Sequence, residues 1–162
     1  MFIEKNWLAI ILCISCIAIS IAFIAQYVFF IIPCEICYYQ RYTYYLIIFT
    51  SIIFLSGKIK FNLFYLILIE IFLFVGLIFS IWHFGVENNL IQGSSGCTLT
   101  EFNFNNDNAK NLEELKNIIK DNPIAQCNEI NWSFLGISMV FYNIILQFVL
   151  IIINTILIKR HK

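Results

Sequence analysis

Six cysteines are the residues of this chain with most chemistry to offer, and they fall into three pairs. Cys13 and Cys16 form one C-x-x-C, Cys34 and Cys37 a second, and Cys97 and Cys127 stand far apart. A C-x-x-C closes easily into a small disulfide ring and recurs in redox-active sites. The same spacing is also half of many zinc sites. Spacing alone does not choose between these readings, so the elements that carry each pair must.

Those elements belong in a membrane. Of 162 residues, 60% are hydrophobic and only 12% charged, and mean hydropathy is +0.83. A water-soluble domain of this size would expose large apolar patches. From Asn6 to Cys34 there is no Lys, Arg, Asp or Glu, and the stretch at about 7–31 is long enough, as a helix, to cross a ~30 Å hydrocarbon core. A cleaved signal peptide would be shorter and end in small residues. This run ends in Tyr27, Phe29, Phe30 and Pro33, so a retained span is expected. Further spans are expected at about 42–56, 61–82 and 134–158. The second is short, with Arg41 and Lys58 snorkelling to its two interfaces. The expected fold is an all-α membrane protein, a four-transmembrane-helix bundle in which 1–162 make one domain.

Charge sets the orientation. Lys5, Lys58, Lys60, Lys159, Arg160 and Lys162 oppose Glu4 alone on one side. On the other, Arg41, Lys110, Lys116 and Lys120 face eight acidic residues. Both termini and the turn 57–60 are expected in the cytoplasm, and the loops 32–41 and 83–133 outside. Within the long second outer loop, Leu112, Leu115, Ile118 and Ile119 share one face of a short amphipathic helix, stopped by Pro123. Net charge is zero, and no nucleic-acid partner is expected.

Depth now sorts the cysteines. Cys13 and Cys16, flanked by Leu12, Ile14 and Ile17, lie within a span, where a thiolate is costly, and are expected to pack. Cys34 and Cys37 lie on the outward face, where disulfides persist. Cys97 and Cys127 share the outer loop and would tend to pair, taken alone as a structural staple. A zinc site could draw on all four, but Cys97 and Cys127 lack the second closely spaced ligand pair, so redox chemistry is favoured and no metal is expected. Cys37 should sit among the free amides of a helix N-terminus with Arg41 at i+4, and both favour a thiolate. A thiolate at that depth can meet a quinone, which dissolves in the bilayer and takes the two electrons a dithiol releases.

Three ordered blocks then resemble a known family. Pro33-Cys34-Glu35-Ile36-Cys37-Tyr38-Tyr39-Gln40-Arg41 is similar to the signature of the disulfide bond formation protein B (DsbB) family. So are His83-Phe84-Gly85-Val86-Glu87 with Gly93 and Cys97, and Cys127-Asn128-Glu129 with Trp132 to Met139 and Tyr142-Asn143. The DsbA–DsbB–quinone system keeps the bacterial periplasm oxidising. The resemblance implies a bacterial inner-membrane enzyme that reoxidises a periplasmic DsbA-like thioredoxin-fold protein and passes the electrons to a membrane quinone, ubiquinone or menaquinone. It implies that Cys97 takes the mixed disulfide and that Cys127 exchanges with Cys34. Cys37 would face the quinone, with Arg41 stabilising its charge.

Other polar residues carry weaker expectations. His83 and Glu87, an i, i+4 pair, could shape the quinone pocket or relay a proton, and the plainer reading is a helix-end anchor. Glu70, inside the third span, is a functional candidate by default, since a carboxylate in lipid is costly, and the equal alternative is a protonated group hydrogen-bonded to a neighbouring helix. Glu35 is expected to point to water. The rival reading is a structural or transport membrane protein with a stabilising outer disulfide. It leaves the C-x-x-C and Arg41 without a purpose, and polar residues within the spans are few.

Overall fold

A computed structural model describes residues 2–56, 63–93, 127, 133–134 and 136–161. Among these residues four helices carry the fold: α1 (Phe2–Tyr27), α2 (Glu35–Ser56), α3 (Leu63–Glu87) and α4 (Met139–His161). A two-residue antiparallel hairpin, β1 (Ser133–Phe134) with β2 (Ile137–Ser138), leads into α4. Helix α3 packs against α4 and α2, and α2 packs against α1. The turn 57–60, Cys97 and the expected amphipathic helix lie outside the described residues.

The bundle is apolar outward and partly polar inward. Ile17, Phe49, Phe64, Ile78 and Phe148 are exposed, whereas Ser15, Thr43, Ser51, Ser80, Gln147 and Asn154 are buried. In water that arrangement would aggregate; in lipid it costs nothing at the surface and lets helices hydrogen-bond within. Helices α1, α3 and α4 each contain a stretch long and apolar enough to cross a membrane. Helix α2 has the length, 22 residues, but five tyrosines with Glu35, Gln40 and Arg41 make its first half much less apolar.

Helix ends differ from the expected span ends for local reasons. The first helix stops at Tyr27 rather than near 31, because Phe30 adopts a left-handed φ of 54° and the Ile31 amide turns back to the Ala25 carbonyl. Helix α3 runs past Trp82 to Glu87 and closes in a Schellman cap. Asn89 is left-handed at φ 57°, the Leu90 amide donates to Gly85 O at 2.8 Å, and the Asn89 amide donates to Val86 O at 3.0 Å. A Cβ at Gly85 would lie 2.7 Å from Ile91 Cδ1, so glycine lets the chain fold back there. At α4, Ser138 is the N-cap: its Oγ accepts from the Phe141 amide.

The main core lies at the end of the bundle away from Cys34. Trp7, Ile11, Ile47, Tyr65, Leu66, Ile69, Leu73, Leu150, Ile151 and Leu157 form it. Asn154 ties three helices together there. It accepts from Trp7 Nε1 at 3.0 Å and donates to Leu66 O at 2.9 Å and Glu70 Oε2 at 2.6 Å. Thr155 Oγ1 is 2.6 Å from Glu70 Oε1, so Glu70 does bond the neighbouring helix.

Candidate functional site

The site is built where α2 begins. Cys34 is the N-cap, since its carbonyl accepts from the Tyr38 amide, and Cys37 is the third helical residue. The Cys37 amide donates to the Cys34 sulfur and the Cys34 amide to the Cys37 sulfur. The two residues thus form a sulfur version of the capping box, in which cap and third-residue side chains serve each other's amides. Only an x-x spacing at a helix start permits this, and it holds the sulfurs 2.9 Å apart.

Helix α3 brings His83 to the other side of Cys34, with Nε2 3.4 Å from the sulfur. Cys34 is buried and Cys37 half-buried. Two thiols this close share a proton unequally. Cys34 is lowered from 9.0 to about 4, first by the hydrogen bond from Cys37, against burial, then by His83. Cys37 is raised, by its bond to Cys34 and by burial, and the Arg41 charge opposes this only weakly. This reverses the sequence expectation of a Cys37 thiolate. Arg41 is engaged elsewhere: it donates to Gln26 Oε1 at 2.6 Å and Ala22 O at 3.4 Å on α1, and lies over the Phe23 and Tyr38 rings.

Behind Cys34 lies Cys127, which is fully buried and disulfide-bonded. Cys34, Ile36, Val86 and Cys127 form one buried cluster, with Cys37 and Trp82 against it. Cys97, the other loop cysteine, lies outside the described residues. Cys13 and Cys16 are exposed on α1; they face the surroundings of the bundle rather than packing within it, and take no part in this cluster.

In front of Cys37 a cavity of about 250 Å³ opens between the helices. Its wall includes Ala18, Ala22 and Ala25 of α1, small residues that leave the space. Cys37, Gln40, Arg41, His83 and Glu87 also line it. Glu87 accepts from Ser138 Oγ at 2.7 Å, so the residue that caps α4 also holds Glu87. Two polar atoms among these wall residues are buried without a partner, Gln40 Nε2 and His83 Nδ1. The motif block at 33–41 covers Gln40, but sequence reasoning gave it no role; the only signal was its position three residues after Cys37. Ser138, likewise within a matched block, was missed because its contact is with a different helix.

Cys34, Cys37 and His83 could also hold a metal, since their donor atoms lie within 4.8 Å of one another. Tetrahedral zinc, with Zn–S near 2.3 Å, would push the sulfurs to roughly 3.8 Å apart, well beyond the 2.9 Å seen. A ligating imidazole also normally donates its second nitrogen to a partner, and His83 Nδ1 has none. The geometry fits a hydrogen-bonded thiol pair better.

The class follows from where the sulfur sits. Free thiols and a disulfide sulfur share one buried cluster at the end of a bundle whose outer surface suits lipid, so this is a membrane protein that handles disulfides. The pattern of the family "Disulfide bond formation protein DsbB" matches residues 4–157, nearly the whole chain, and the chain belongs to that family. It is 33% identical over 143 residues to the uncharacterized protein RP370 of Rickettsia prowazekii (strain Madrid E), covering 88% of this chain and 81% of that one. No solved structure matches. Membership makes this a membrane disulfide-formation protein of an inner-membrane family.

Proposed function

We propose that the chain is an inner-membrane oxidoreductase that reoxidises a DsbA-like periplasmic thioredoxin-fold protein and delivers the electrons to a membrane quinone. The observation that carries this reading is the position of Cys34, packed with Cys127 on one side and hydrogen-bonded to Cys37 beside the cavity on the other.

The steps balance as follows. A reduced partner gives two electrons and two protons to the Cys97–Cys127 disulfide, with Cys97 taking the mixed disulfide, and leaves with a disulfide of its own. Cys127 then attacks Cys34 of an oxidised Cys34–Cys37 pair; the loop disulfide reforms and the inner pair becomes a dithiol. That attack expels Cys37; when Cys97 then attacks Cys127 of the mixed disulfide, Cys34 leaves, and the helix-start amides and His83 hold its charge, which makes it the good leaving group that step requires. The inner dithiol must then lose two electrons and two protons to become a disulfide again.

The cavity residues fit a quinone. The walls are mainly apolar, and Gln40 Nε2 and His83 Nδ1 are polar atoms that lack partners, as an apolar ring with two carbonyl oxygens would require. Such a ring, when bound, supplies the acceptor for two electrons and two protons. On the chain's side, His83 Nε2 lies against the Cys34 sulfur and steadies its charge, and the proton to be lost is the one on Cys37, whose thiol is raised. Arg41 holds a fixed positive charge on the cavity wall.

The test is quinone reduction by purified protein given a reduced DsbA-like substrate, compared with Cys37→Ser. The wild-type chain should turn over and the variant should lose at least ~10³-fold, as loss of a reacting nucleophile does. Equal turnover in both would refute the scheme.

A further inference from the structure

Two buried nitrogens of the cavity-wall residues lack partners, His83 Nδ1 and Gln40 Nε2, and the second belongs to an amide and can only donate. Gln26 accepts from Arg41, Glu87 accepts from Ser138, and Tyr44 donates to Asn143, which itself donates to Ser80. His83 Nε2 meets Cys34. Gln40 is only 8% exposed, lines the cavity, and has an Nε2 with no acceptor. Its backbone carbonyl is used by Thr43 Oγ1 at 2.7 Å, so the helix does not engage the side-chain amide.

We propose that Gln40 donates a hydrogen bond to a carbonyl oxygen of the quinone head group and so holds the ring at Cys37. This rests on the reading that the cavity receives a quinone. Leaving a buried amide donor unmatched is costly, and native interiors rarely do it without cause. A quinone carbonyl is an acceptor without a competing donor, which is what a bare N–H needs. Gln40 lies three residues after Cys37, on the same face of α2, so the group that positions the ring and the sulfur that reacts are carried by one rigid turn.

The test uses the full chain in detergent, with ubiquinone and menaquinone analogues carrying a ¹³C label at one carbonyl or the other. Infrared difference spectra should show one labelled carbonyl stretch shifted down in the wild-type protein. In Gln40→Met, which keeps the volume and removes the donor, that band should return to its position in an apolar solvent. The Kd for the quinone should rise about 10-fold, the usual effect of one lost hydrogen bond. If the wild-type protein binds and reduces quinone but both carbonyls sit at the apolar-solvent position, the role of Gln40 is overturned and the general reading stands. Unchanged affinity and an unchanged spectrum in a folded Gln40→Met chain overturn it equally. If the wild-type protein neither binds nor reduces quinone, the general reading fails, and this one fails with it.

Discussion

The two ends of the bundle treat polar groups in opposite ways. At the end away from Cys34, Asn154 uses its side-chain oxygen and nitrogen on Trp7, Leu66 and Glu70, Thr155 meets Glu70, and Ser51 meets Tyr65 at 3.0 Å. At the cysteine end, His83 Nδ1 and Gln40 Nε2 are buried and unmatched, and two thiols are pressed together. Intramembrane hydrogen bonds contribute modestly, about 0.6 kcal/mol on average, so the far end gains its hold by linking three helices. The cysteine end gives up that satisfaction. The contrast teaches which polar groups exist to hold the fold and which wait for something outside the chain.

The largest expected effect tests the cysteine end. His83→Leu removes one of the groups that hold Cys34 as a thiolate, a hydrogen bond to a charged group and therefore worth about 1.5–3 kcal/mol. With Cys34 lowered from 9.0 to about 4, the folded reduced protein binds fewer protons there than the unfolded chain between those values. Its stability should therefore fall as pH drops from 9.0 towards 4, and be lost below. In a chain with Cys13 and Cys16 replaced by alanine, ultraviolet absorbance should report a thiolate at pH 6. In His83→Leu that thiolate should titrate about 10- to 100-fold less acidic. An unaltered titration would mean that the sulfur pair and helix amides hold the charge alone.

How much of this could be read from the chain depended on the range of the interaction. The uncharged run at 7–31 and the three motif blocks made the membrane class and the family legible, because those signals are local or compositional. The depth argument correctly set Cys13 and Cys16 apart from the site, yet it expected them to pack, and they face outward. Periodicity could not tell a core face from a lipid face, since both are apolar. Arg41 does lower Cys37, as its i+4 spacing suggested, but its fork is held by Gln26 and Ala22 of α1, and no spacing within α2 could reveal that. Likewise the contact of Cys34 with His83, 49 residues on, adds to the lowering that the Cys37 hydrogen bond leads, and only the packing of α3 on α2 shows it.

A smaller effect sharpens the far end. Asn154→Leu keeps the volume and deletes three contacts, leaving Glu70 with Thr155 alone. The cost should be about 1–2 kcal/mol, near the upper range for intramembrane polar contacts, read as a lower midpoint of unfolding in detergent. Disulfide exchange below that midpoint should be unchanged, because none of those contacts reaches Cys34. A loss of exchange as large as the loss of stability would show that the two ends are coupled and that the contrast between them is misdrawn.

The smallest effect is expected at Glu35, the acidic residue between Cys34 and Cys37. A carboxylate so near would raise a thiol pKa if it faced the sulfurs. Instead Glu35 is exposed, and Tyr39 Oη donates to its Oε1 at 3.3 Å, one turn along α2. In water its charge is screened over ~8–10 Å at ordinary ionic strength, while the sulfurs lie on the buried side of the same turn. Glu35→Gln should therefore leave both the Cys34 titration and the oxidation rate within about twofold of the parent, whereas His83→Leu shifts both. A large change in Glu35→Gln would mean that its field reaches the sulfurs, and that the exposed side of this turn helps set the thiolate as much as His83 does.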